Sequence, residues 1–75
     1  MKFAELEKVI ERDPAVMGGQ WVFKGTRVPL AALYENLRDG ATIDDFLEWF
    51  PGVKRSQIIA ILDHERATLS ELAAA

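Results

Sequence analysis

The sequence predicts a mainly α fold: a three-helix, helix-turn-helix core of homeodomain-like layout carrying a short N-terminal β-hairpin. Three observations lead there. Apolar residues recur at helical spacing in three segments between Pro29 and Leu72. Gly40 and Pro51-Gly52 punctuate those segments. Upstream, a stretch rich in Trp, Val and Phe is broken by Lys24-Gly25. The 75 residues have room for one domain, spanning 1–75.

Phe3, Leu6, Val9 and Ile10 fall on one helical face, which predicts a short opening helix over about Lys2–Val9. The chain is extended by Glu11, and Asp13-Pro14 prevents any return, because the residue before proline is pushed out of the α region. Trp21–Phe23 and Thr26–Val28 read as two short strands joined by the Lys24-Gly25 turn. Two strands alone are barely stable in water, so this hairpin must lean on helices or on a second copy.

Pro29 suits the first position of a helix, where its missing N–H would have no partner anyway. Leu30, Leu33, Tyr34 and Leu37 then form an i, i+3, i+4, i+7 stripe, and Gly40 ends the helix as a left-handed cap. Thr42 caps the next helix, with Asp44 and Asp45 at its positive end and Ile43, Phe46, Leu47 and Phe50 facing inward. The last helix runs from about Lys54 with Ile58, Ile61, Leu62 and Leu69 inward. Continued to Leu72 it has about 19 residues and a length of roughly 28 Å, more than a core this size covers. Its distal part should project and offer a partner surface. The three-residue break Pro51-Gly52-Val53 gives the helix-turn-helix layout, although any small helical bundle has short breaks.

Composition narrows the function classes. A chain this short buries only about 60% of its unfolded surface and usually needs disulfides, a metal or a second subunit. No cysteine and a single histidine remove disulfides, thiolate sites and His-rich metal sites, leaving an efficient helical core or oligomerisation. No apolar run approaches the roughly 20 residues of a membrane helix, and Lys2 and Glu5 leave no apolar signal core, so the expected compartment is cytoplasmic with no membrane partner. The net charge of −3 is uneven: six Lys/Arg balance six Asp/Glu in residues 1–40, whereas three face six in residues 41–75. A whole-chain nucleic-acid footprint is therefore missing, and DNA binding would rest on a small basic patch doubled by a dimer.

Catalysis finds little support, and an enzyme is the least expected class. Ser56 and His64 stand eight apart on one helix, more than two turns, so with Asp63 they cannot form a triad. Asp44, Asp45 and Glu48 could hold a hard cation, but a helix start already explains two of them. Lys24-Gly25-Thr26 has neither the order nor the spacing of a phosphate-binding loop. No metal or cofactor is expected.

The remaining chemistry is basic and local. Lys54, Arg55 and Gln57 occupy the first turn of the last helix, where a recognition helix meets base edges and phosphates, and Arg27 follows the hairpin turn. These four are the candidate DNA-binding residues, against the alternatives of a solvated helix start and a surface ion pair. Two cations at a helix N-terminus oppose its dipole, which favours a functional reason for them. Trp49 lies off its helix's core stripe and Trp21 lies on the hairpin, so with His64, Leu69 and Leu72 they are the candidate partner contacts.

Asp13-Pro14, Gly18-Gly19 and Gly25-Thr26-Arg27-Val28, followed in order by Gly40, Phe50-Pro51 and Ile58 to Leu62, resemble the pattern of the VapB-like antitoxin family, domain-of-unknown-function family 433. The likeness covers about residues 9–65. It implies a helix-turn-helix core with N-terminal strands, a cytoplasmic bacterial or archaeal setting and a homodimer. It also implies a cognate PIN-like ribonuclease toxin that the chain neutralises, and an operon that it represses by binding operator DNA. Gln20-Trp21 stands where the family has Lys-Pro, Lys54 where a capping Thr or Ser is usual, and His64-Glu65 where Tyr-Ala is typical. The rival expectations are a stand-alone helix-turn-helix regulator and a protein–protein adaptor without DNA binding, the latter favoured by the acidic charge.

Overall fold

A computed structural model describes residues 6–74. The elements run β1 (Ile10–Glu11), a 3-10 turn (Met17–Gly19), β2 (Val22–Phe23), α1 (Leu30–Arg38), α2 (Ile43–Trp49) and α3 (Arg55–Ala74). The expected mainly α fold, three helices with a short antiparallel strand pair at the N-terminal side, is what forms. Half of the helix anticipated over Lys2–Val9, residues 2–5, lies outside the described residues, and in the other half the helical conformation ends at Leu6 rather than at Val9. At Leu6 the chain is helical, and a turn closed by the Val9 N–H donating to the Leu6 carbonyl (2.8 Å) leads into β1.

The sheet differs in detail from the anticipated hairpin. β2 pairs with β1 in the register Ile10↔Phe23 and Glu11↔Val22. On its other side β2 meets the segment after the Lys24-Gly25 turn, through a Val22↔Pro29 bridge and the bonds Phe23 N–H to Val28 carbonyl and Leu30 N–H to Trp21 carbonyl, each 3.0 Å. β2 is thus the central strand, which is why Val22 and Phe23 are both buried. The bridge also holds Pro29 extended (φ −66, ψ 147), so Pro29 is the N-cap of α1 rather than its first helical residue.

α1 ends in a Schellman motif. Ala41 N–H donates to the Asn36 carbonyl (2.9 Å) and Gly40 N–H to the Leu37 carbonyl (3.1 Å), with Gly40 at φ +99 where only glycine is unstrained. α2 opens with a full capping box: the Asp45 N–H donates to Thr42 Oγ1 and the Thr42 N–H to Asp45 Oδ2, both at 3.0 Å. The core joins Leu6, Ile10, Phe23, Leu33, Phe46, Val53, Ile58 and Ile61, with the Phe46 ring 6.1 Å from Phe23 and 4.6 Å from Phe50. Val53, inside the break between α2 and α3, is part of that core, so packing as well as the breakers fixes the turn. Leu69 is not inward as its stripe position suggests: the core stops at Ile61 and Leu62, and no described element covers the helix beyond. Among the described residues no helix is long and apolar enough to cross a membrane.

Candidate partner-binding surface

The four basic-patch candidates have different fates. Gln57 is 7% exposed and its amide is fully engaged. Its Oε1 accepts the Lys54 N–H (2.9 Å), while Nε2 donates to the carbonyls of Lys24 (3.1 Å) and Val9 (3.3 Å). That is half a capping box, with the N3 glutamine reaching back to the N-cap backbone, and it compensates for the missing Thr or Ser at Lys54. The same amide ties α3 to the residue just before β1 and to the turn after β2. Gln57 therefore cannot read a base; the polar residue beside two cations is a structural pin. Arg55 is exposed but forms an ion pair with Asp44 of α2, which offsets its charge toward any phosphate. Lys54 and Arg27 are exposed and make no ion pair among the described residues. Asp44 and Asp45 are occupied by Arg55 and the capping box, and with Glu48 they form no cation-holding group.

The partner-contact candidates converge better. A groove of about 220 Å³ is walled by Leu6, Ile10, Trp21, Leu30 and Tyr34 on one side and by Ile61, His64 and Glu65 of α3 on the other. Trp21 (37% exposed) and Tyr34 (40%) present part of their rings there, and the Arg12 guanidinium lies 6.0 Å from the Trp21 ring centroid. At 3.6 residues per turn, Ile61, Glu65, Thr68 and Leu72 share one face of α3, and Ile58, Leu62 and Leu69 form the adjacent row. The groove lining stops at Glu65, and the same rows of α3 continue past it to Leu69 and Leu72, which are 64% and 68% exposed. Trp49 is also exposed, at the end of α2, but it does not line this groove.

Sequence reasoning missed Tyr34 and Glu65. Tyr34 sits in the apolar stripe of α1 and reads as core, yet at the stripe's edge it is 40% exposed. Partial burial pushes its pKa above the ordinary tyrosine value, and the Glu65 carboxylate across the groove pushes the same way. A tyrosine in place of an aliphatic residue at an edge position was the signal available.

The family model of the protein of unknown function family DUF433 matches residues 10–64. The chain belongs to that family. The match contains both strands, α1, α2 and the half of α3 that closes the core, and it stops before Leu69 and Leu72. No curated protein and no solved structure matches the chain.

Proposed function

We propose that this protein is an antitoxin that binds and silences a PIN-like ribonuclease through the open end of α3 and the groove beside it, as the VapB-like resemblance implies. The observation that carries the reading is the exposed pair Leu69 and Leu72, on the same helix rows that continue, beyond the core, past the groove walled by Trp21 and Tyr34. A helix that keeps an apolar stripe after leaving its own core is suited to lie in a partner's groove. Charge supports a nuclease as that partner. The exposed part of α3 carries Asp63, Glu65 and Glu71 against one cation, Arg66, which lies 4.0 Å from Asp63. A ribonuclease must attract phosphates and so presents a basic surface, the complement of this acidic helix.

The test is coexpression with a PIN-like ribonuclease encoded by the adjoining gene, followed by purification and an RNA-cleavage assay. A stable complex with suppressed cleavage is expected, and Leu69→Asp with Leu72→Asp should release the nuclease while the chain stays folded. Each leucine buried at such an interface contributes about 1.5–3 kcal/mol, so the double variant should weaken binding by well over tenfold. A wild-type chain that neither binds nor inhibits sinks the reading.

Autorepression through operator DNA is a second reading, favoured by Lys54 at the start of α3 in a helix-turn-helix layout. With Arg55 paired and Gln57 buried, Lys54 and Arg27 carry it, and a homodimer would double them.

A further inference from the structure

A second cavity, larger than the groove, lies away from it, between the β1–β2 connection and the turn after β2. It has a volume of about 380 Å³ and is lined by Glu11, Asp13, Val16, Val22, Gly25, Thr26 and Arg27. That is within the range of small-molecule sites, roughly 300–1,000 Å³.

Its two carboxylates are aimed by the backbone. Glu11 Oε2 accepts the Gly25 N–H at 2.6 Å, and Asp13 Oδ1 accepts the Ala15 N–H at 2.9 Å. Each keeps a second oxygen for another donor. Neither is neutralised by Arg27, which lines the same cavity and forms no ion pair with them. The Thr26 hydroxyl has spent its proton inside the turn, donating to the Phe23 carbonyl (2.7 Å) while it accepts from the Val28 N–H (3.0 Å). Val22, buried in β2, and half-buried Val16 supply apolar lining.

The cavity therefore presents two anchored carboxylates, one guanidinium that pairs with no carboxylate among the described residues, and an apolar lining. An anion meets two negative charges. A hard divalent cation meets Arg27 and two carboxylates that have each already committed an oxygen. A zwitterion with an aliphatic part satisfies every group. We propose that this cavity is a binding site for a free aliphatic α-amino acid. Its ammonium group is held by Glu11 and Asp13, its carboxylate by Arg27, and its side chain lies along Val16 and Val22. The site is independent of the nuclease-binding reading, because it shares no residue with the groove or with the end of α3.

The experiment is a nitrogen–proton correlation NMR titration of the full chain with L-leucine, run in parallel with leucinamide, which lacks the carboxylate, and isovalerate, which lacks the ammonium. Saturable, low-millimolar shifts centred on the Gly25, Thr26 and Arg27 amides are expected for leucine alone. Arg27→Ala, at an exposed position that leaves the fold intact, should weaken leucine binding by about tenfold, as for one lost charge-assisted contact. Asp13→Asn keeps an oxygen for the Ala15 N–H and should weaken it as well. The proposal is overturned by absence of shifts up to the solubility limit of leucine, by an equal response to leucinamide or isovalerate, or by an unchanged affinity in Arg27→Ala. The Leu69→Asp, Leu72→Asp variant should bind leucine as the wild type does.

Discussion

Both halves of α3 carry large aliphatic residues in the same rows, and their surroundings are opposite. In the first half Ile58 and Ile61 are sealed into the core and Gln57 is pinned to the sheet. In the second, Leu69 and Leu72 continue those rows into solvent. An apolar stripe specifies a buried face only as far as the chain supplies something to bury it against; past that point the same pattern describes a docking surface. Substitution should separate the halves sharply. Ile58→Ala, which empties a fully buried site, should cost about 2–5 kcal/mol of unfolding free energy in urea denaturation. Leu69→Ala and Leu72→Ala should each stay within about 0.5 kcal/mol in the isolated chain. If Leu72→Ala costs as much as Ile58→Ala, and the loss grows on dilution, a second copy of the chain covers the end of α3 and the contrast between the halves is a property of the monomer only.

The polar residues of the first half sharpen the comparison at a smaller scale. Gln57→Leu removes the side-chain acceptor for the Lys54 N–H and both donors that hold the Val9 and Lys24 carbonyls. A loss of about 1–3 kcal/mol is expected, with little change in any DNA affinity because the amide faces inward. A lost DNA affinity with unchanged stability would return Gln57 to the nucleic-acid surface. Thr42→Ala, which dismantles the capping box of α2, should cost about 1 kcal/mol in the same denaturation experiment.

Much of this architecture is legible in the residues, and the gaps have physical causes. Thr42 with Asp44 and Asp45, the Gly40 stop and the Phe46 stripe are local signals, and each is realised where the spacing puts it. The pairing of β1 with β2 is not local. Ile10 and Phe23 meet across 12 intervening residues, and a two-residue strand has no periodicity to announce it. Gln57 misleads for a related reason. At the start of a helix beside Lys54 and Arg55 it looks like a base-reading residue, and only the carbonyls brought up from Val9 and Lys24 turn it inward. The exposed end of α3 was legible because it follows from length alone. The ion pair of Arg55 with Asp44 and the mixed lining of the cavity were not, since each depends on segments that meet only in the folded chain.

The smallest expected effect reads the groove directly. Tyr34 is the one tyrosine in the chain, so the alkaline rise in phenolate absorbance reports on it alone. Its pKa is raised first by burial and then by Glu65, so the titration should lie above that of the unfolded chain in denaturant. Because the unfolded state loses the proton first, this contribution to stability is complete below the unfolded value, near pH 10, and fades as pH rises through the folded value. Glu65→Gln should bring the curve partway back toward the unfolded one, leaving the part due to burial. If Glu65→Gln leaves the curve in place, burial alone raises the pKa and the carboxylate does not act across the groove. Binding of a partner over Trp21 and Tyr34 should move the curve further up, since it removes the remaining water from the ring. A partner that seats only on Leu69 and Leu72 would leave it unmoved, so this titration distinguishes a contact that uses the groove from one confined to the end of α3.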